Sequence, residues 1–306
     1  MSSSVTPGPS LTGDPRRRRR ESIIGRLLFA AAAFSVLVSL AIVLSLIGNA
    51  ADFLTKIDLG TLWSSGWLPR RGEFDVRTIV VASIVVSTIA LLVAGPLGLM
   101  AAVYLSEYAS PRVRRSVKPI LEVLAGIPSV VLGFFALTWI NPNVTQRIFS
   151  TAGGFNMLTA GIGVGILVLP LMASVSEDAL RSVPRSLREA SYGLGARKRL
   201  TTLRVVLPAA VSGIVAAAII TISRAIGETM VVTIAGGSRG DFAWSPIDSS
   251  PTMTAAIANL ATGSDNVVGD VAAVDSLYFV GILLFAFTLG LNVLGDRIVR
   301  RHRKAY

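Results

Sequence analysis

The run IIGRLLFAAAAFSVLVSLAIVLSLIG, residues 23–48, decides the fold. It is apolar around the whole helical circumference and carries one charge, Arg26, near its start. About 20 such residues cross the roughly 30 Å of bilayer hydrocarbon as a helix. The run is too long and too far from residue 1 for a signal peptide, and no small-residue cleavage site follows it. Five further apolar runs lie at about 78–105, 118–140, 157–175, 206–235 and 276–295. They are hydrophobic all round rather than alternating, which disfavours a membrane β-barrel. The fourth carries Gly161, Gly163 and Gly165, small residues that let helices approach closely. The expectation is an all-α membrane protein with six transmembrane helices.

Composition agrees with that reading. Of 306 residues 52% are hydrophobic and only 15% are charged, and the mean hydropathy is +0.65. A soluble chain carries about a quarter charged residues. There is no cysteine, so disulfides, thiolate metal sites and cysteine nucleophiles are excluded. The one histidine, His302, sits in a charged tail. No metal site and no cofactor are expected. The net charge of +11 is mostly an orientation signal. Twenty-two basic residues fall before the first span, in the second and fourth connections and in the tail, against six in the other connections. By the positive-inside rule both termini are cytoplasmic. Nucleic-acid binding is therefore not expected.

Outside the spans, residues 1–22 read as a basic, disordered cytoplasmic leader, its first 15 residues rich in Ser, Thr, Pro and Gly. Arg16 to Arg20 supply topogenic charge and contact with membrane lipids. Residues 23–306 form the transmembrane domain. Trp63 and Trp67 in the external segment 49–77 suit a membrane interface. The external segment 236–275 holds Asp241, Asp248, Asp265, Asp270 and Asp275, scattered without an EF-hand spacing, and reads as a solvated loop.

The fourth connection, RSVPRSLREASYGLGARKRLTTLRVVLP from Arg181 to Pro208, carries the most specific signal. Leu187, Ala190, Ser191 and Leu194 fall at i, i+3, i+4 and i+7, one face of a short amphipathic helix. Gly195 can end it in a left-handed cap. Glu189-Ala190-Ser191, three residues, Gly195, nine residues, Val205, one residue and Leu207-Pro208 together resemble the EAA loop of ABC importer permeases. Ser191 stands for that pattern's second alanine. The resemblance implies a type I ABC importer permease fold, with a cytoplasmic coupling helix that docks on the ATPase. Glu189, Ala190, Gly195, Leu207 and Pro208 are then coupling-loop positions.

Tyr104–Tyr108, Leu124–Phe135 and Ser223–Met230 resemble segments of the bacterial phosphate-specific permeases, and this likeness extends over most of the chain from about residue 60. The segment Gly227-Glu-Thr-Met-Val-Val-Thr233 leans toward the C-type partner of that permease pair over the A-type. The permease core is placed at about 76–296. The resemblance implies a permease of an ATP-driven phosphate importer in the bacterial plasma membrane. Its partners would be a homologous permease, a dimer of ATP-binding ATPases and a phosphate-binding protein.

An anion also follows from the residues themselves. Arg224 lies well inside the fifth apolar run, where it costs at least about 2.5–3.5 kcal/mol, and Glu228 follows at i+4. A guanidinium offers an oxyanion two parallel donors, and the carboxylate can accept the proton of a hydrogenphosphate. These two are the substrate-pathway candidates; a pair that only locks helices is the alternative. Glu122, near the start of the third run, reads as a helix-end or inter-helix contact. No P-loop sequence and no catalytic constellation occur, so the chain reads as a non-catalytic subunit and ATP hydrolysis would belong to a partner. Molybdate or sulfate as the cargo, or a self-sufficient secondary transporter, remain the rival readings.

Overall fold

The computed structural model describes residues 15–63, 66–263 and 271–302. The chain divides into two units, residues 1–48 and 49–306. The first is occupied by α1 (Pro15–Lys56), which runs on into the second. From Ile23 to Ile47 most of its large apolar side chains are exposed, an arrangement stable in hydrocarbon and not in water. The helix begins eight residues earlier than the expected leader allows. Pro15 fits a first helical turn, and the arginines and Glu21 behind it are good helix formers with no breaker among them. The rest of the expected leader, residues 1–14, lies outside the described residues.

The second unit is built on α2 (Val76–Tyr108), α5 (Met157–Ser182) and α7 (Lys198–Ile226). Asp75 caps α2, accepting from the Arg77 amide at 3.2 Å, and Asn156 caps α5 through the Thr159 amide at 2.8 Å. The glycines foreseen on α5 do the packing. A Cβ at Gly161 would stand 2.6 Å from Ile89 Cβ, and one at Gly165 would stand 2.8 Å from Val93 Cβ. Gly98 on α2 answers them, closed against Met172. Gly163 faces the other way, onto Ala136 and Val231. Ala82, Val86, Ala90, Ala94, Val164 and Val168 fill the seam with nothing exposed.

Five helices are long and apolar enough to cross a membrane, and a bent pair makes the sixth. That pair corrects the third span. Residues 118–140 do not form one helix: α3 (Pro111–Leu124) and α4 (Ser129–Ile148) meet at 86°. Gly126-Ile127-Pro128 breaks the chain, because Pro128 has no N–H to donate and disfavours helical backbone at Ile127. α3 is amphipathic, with four basic residues and with Ile120 and Val123 exposed, as suits a helix lying on a membrane surface. Glu122 is exposed in its last turn.

The segment 236–275 is also corrected. It holds α9 (Met253–Ala261), whose first four residues are buried against the bundle, so it is more than a solvated loop. Thr252 caps it, and the Met253 amide donates to Ser83 Oγ on α2 at 2.9 Å. Asp241 pairs with Arg239 at the surface, and Asp275 pairs with Lys56 at 2.6 Å. Asp265 and Asp270 lie outside the described residues. A two-strand hairpin, β1 (Trp67–Leu68) with β2 (Glu73–Phe74), buries Trp67 edge-on to Phe74, so of the two tryptophans only Trp63 is exposed as an interface residue would be. The last helix, α10 (Val271–His302), closes the bundle.

Gly161→Ala should therefore wedge α2 from α5 and lower the stability of the extracted protein by about 1–3 kcal/mol. Gly290→Ala on α10, where a Cβ meets nothing within 4 Å, should be neutral or slightly stabilising. Thermal unfolding of the two variants in one detergent checks both outcomes.

Candidate functional site

Two places collect the sequence-derived candidates. One is at the arginine-rich end of the bundle, where α6 (Arg185–Gly193) lies between α5 and α7. Leu194 amide donates to Ala190 O at 3.2 Å, Gly195 amide to Tyr192 O at 2.9 Å, and Ala196 amide to Ser191 O at 3.1 Å. This is a Schellman ending, and Gly195 takes the left-handed conformation it needs, φ +78°. Glu189 and Ala190 are exposed beside it, and Leu194 is 90% exposed.

The inward face differs from the expected one. Leu187, Arg188 and Ser191 turn inward, while Ala190 and Leu194 face out. The physical reason is Arg188. Its guanidinium donates to Glu107 Oε1 at 2.9 Å, to Leu180 O at 2.8 Å and to Val183 O at 2.6 Å. One side chain thus joins the end of α2, the last carbonyls of α5 and the middle of α6. Ser191 Oγ meets Thr201 Oγ1 at 2.9 Å, which ties α6 to α7. Leu207 and Pro208 are not on α6. They sit inside α7 after a π-helical turn, where Leu207 amide bonds back to Thr202 O and Pro208 has no amide to offer. Periodicity could not reveal the Arg188–Glu107 pair, which joins residues 81 apart in the chain.

The other place is the far end of α7. Arg224 and Glu228 do meet, Nη1 to Oε2 at 3.5 Å, but not in the middle of one helix. α7 stops at Ile226, residues 227–229 are non-helical, and α8 (Met230–Ala235) restarts the chain. The apolar run continues through the break, so hydropathy alone merges the two pieces. Gly227, at the cap position of α7, was the available sign. Glu228 uses Oε1 to accept from the Met230 and Val231 amides at 3.2 and 3.5 Å and leaves Oε2 to Arg224. Thr254 of α9 donates to the Glu228 carbonyl at 2.7 Å. The Glu228 side chain is 4% exposed and the Arg224 side chain 55%. Arg224 sits in the last turn of α7, where the helix dipole favours a cation.

No group of three His, Asp or Glu side chains is placed to hold a metal among the described residues. At the same end as α9, a cleft of about 500 Å³ is bordered by Arg70, Arg71, Ser238 and Asn259.

The family follows from comparison with known proteins. Residues 94–305 match the binding-protein-dependent transport system inner membrane component family, and the chain belongs to it. It is therefore a multi-pass membrane permease of the ABC importer class. A probable ABC transporter permease protein, YqgH of Bacillus subtilis, is 32% identical over 81% of this chain and 82% of its own length. The phosphate transport system permease protein PstC of Mesorhizobium japonicum is 31% identical over 84% of each chain. Among solved structures, a bacterial ABC transporter involved in import of the acidic polysaccharide alginate aligns with a TM-score of 0.61 at 17% identity, covering 92% of this chain and 99% of the other. The inward-facing MetNI methionine ABC transporter aligns at 0.53 and 23% identity, covering 73% and 92%.

Arg188→Gln should leave the Glu107 side chain, 5% exposed, without its cation and cost about 3–5 kcal/mol of stability. Adding Glu107→Gln should recover much of that loss, because the buried charge is then gone. Unfolding midpoints of the two single variants and the double variant check the coupling.

Proposed function

We propose that this chain is the C-type permease subunit of an ATP-driven inorganic phosphate importer. Its permease core would span about 76–296, with both termini in the cytoplasm. It would pair with a homologous permease, two copies of an ATPase that carries the ATP chemistry, and a phosphate-binding protein. The observation that carries the reading is the charged pair at the break between α7 and α8. An arginine whose side chain is more than half exposed at a helix break in an apolar bundle is costly against lipid tails. It can be stable against a water-filled path or a second permease. The names of the PstC relatives, phosphate transport permeases, agree with an anionic cargo.

The geometry suits the task. Arg224 has one guanidinium edge on Glu228 and the rest free for an oxyanion. Glu228 is held in place by two amides of α8, so the loss of Arg224 would not release it. Its Oε2 can accept the proton of a hydrogenphosphate, which sulfate lacks. The binding protein would deliver its ion on the face that carries the Arg70–Arg71 cleft. At the other end, Glu189, Ala190, Gly195 and the exposed Leu194 would receive the ATPase. Closure of the ATPases would move α6, and Arg188 and Ser191 would pass that motion to α2, α5 and α7.

Arg224→Gln is expected to leave the complex assembled and to lower phosphate uptake about 10–100-fold, the loss of one charged hydrogen-bonding group. The double variant Arg224→Gln with Glu228→Gln should also fail to transport. Full transport by the double variant would show a mere structural lock and rule out Arg224 as an anion contact. Competition of labelled phosphate uptake by molybdate and sulfate separates the cargoes, with little inhibition by either expected.

The coupling surface makes a separate expectation. Gly195→Val has room for its side chain, but it forces a β-branched residue to positive φ, a strain of about 1–3 kcal/mol. Insertion in the membrane should persist while ATPase co-purification and ATP-driven uptake both fall. Unchanged recruitment and uptake would unseat Gly195 from the docking loop.

A further inference from the structure

A second basic site lies beside the coupling helix. A pocket of about 420 Å³ opens between the π-helical end of α2 and the N-terminus of α6. Its walls include Arg114 of α3, Arg181 of α5, and Arg185 and Arg188 of α6, against one lining carboxylate, Glu107. Internal pairing uses up two of the four cations. Arg114 is held by Glu177 at 2.5 Å, and Arg188 is spent on Glu107 and two carbonyls. Arg181 reaches Glu177 only at 3.9 Å, and Arg185 has no carboxylate partner among the described residues. Both are exposed at the pocket. With Arg114 and Arg188 neutralised, Arg181 and Arg185 leave an uncompensated positive charge at the cavity, which favours an anion shared between them.

We infer that this pocket binds a phosphate group, held between the Arg181 and Arg185 guanidiniums. Planar forks from two different helices match the tetrahedral oxygens of a phosphate. The neighbouring α3 is the amphipathic surface helix, which sets the pocket at the depth of lipid headgroups. The group therefore comes either from an anionic phospholipid or from free phosphate. Its occupant bridges α5 to α6, so it would fix the coupling helix against the bundle.

The inference goes beyond the transport reading and does not rest on it. The pocket borders the end of α5, where Leu180 and Val183 pack on Val206. Arg224 lies 18 residues farther along α7 than Val206, roughly 27 Å at 1.5 Å per residue.

The test uses the complex extracted from membranes, with Arg224→Gln present to silence the proposed transport site. Binding of radiolabelled inorganic phosphate is measured in nanodiscs of phosphatidylcholine and in nanodiscs containing phosphatidylglycerol. Lipid retention is read in parallel by native mass spectrometry. Adding Arg181→Gln and Arg185→Gln is expected to weaken binding by about tenfold or more, while Arg185→Lys, which keeps the charge without the fork, loses less. Phosphate binding that phosphatidylglycerol leaves unchanged assigns the pocket to the free ion. Binding displaced by phosphatidylglycerol, with that lipid retained when both arginines are present and lost without them, assigns it to a headgroup. Phosphate affinity and lipid retention that are both indifferent to Arg181 and Arg185 would overturn the inference. Loss of uptake in the Arg224→Gln variant is scored separately, so the two readings fail independently.

Discussion

The spacing between α2 and α5 is set by side-chain atoms that are missing. In hydrocarbon, apolar side chains gain nothing by leaving lipid for protein, so helices associate through close van der Waals contact. Gly161 and Gly165 bring the backbone of α5 onto Ile89 and Val93, and Gly98 brings α2 onto Met172. Gly163, on the opposite side of α5, admits Ala136 and Val231. α5 thus acts as a post with close contacts on two faces. On the α7 side, Gly213 packs against Ala179 in the same manner. The ends of α5 are where the polar machinery attaches: Asn156 and Thr159 at one, Glu177 and the Arg188-bound carbonyls at the other.

Much of this was legible in the residues. Apolar length gave the helices, the glycine triplet gave the seam, and Gly195 gave the left-handed ending of α6, because each depends on local chemistry. The breaks were harder. Hydropathy averages across Gly126-Ile127-Pro128 and across Gly227-Glu228-Thr229, and both interruptions were absorbed into longer spans. Segment 236–275 was misread for a related reason. Its mixed composition hides α9, whose burial depends on Ser83 of α2 and Glu228 of the α7–α8 break. The Arg224–Glu228 pair was found from its spacing, but its setting at a helix end was not. The Arg188–Glu107 pair was out of reach altogether, since nothing in either neighbourhood announces the other.

The breaks are tolerable because several of the freed groups find partners within the protein. Backbone groups freed inside an apolar bundle must be satisfied within the protein. At 227–229 the Glu228 side chain takes amides of α8, and Thr254 covers the Glu228 carbonyl. At 126–128 the turn is closed by the Gly126 amide on Val123 O and the Ile127 amide on Leu124 O. One side chain, Glu228, therefore holds both a structural cap and the charged partner of Arg224. That double duty keeps an ionisable group fixed in a place where a free carboxylate would be costly.

The π-helical turn at Thr202–Val206 has a geometric consequence for the whole of α7. It houses one residue more than an α-turn, and one residue corresponds to about 100° of helical azimuth. The stretch that touches α6 and the stretch that carries Arg224 are therefore written in two different angular frames, offset by that single turn. A helical wheel drawn from Lys198 points Arg224 in the wrong direction. The bearing of the charge is set as much by this local widening as by the packing of the helix that carries it.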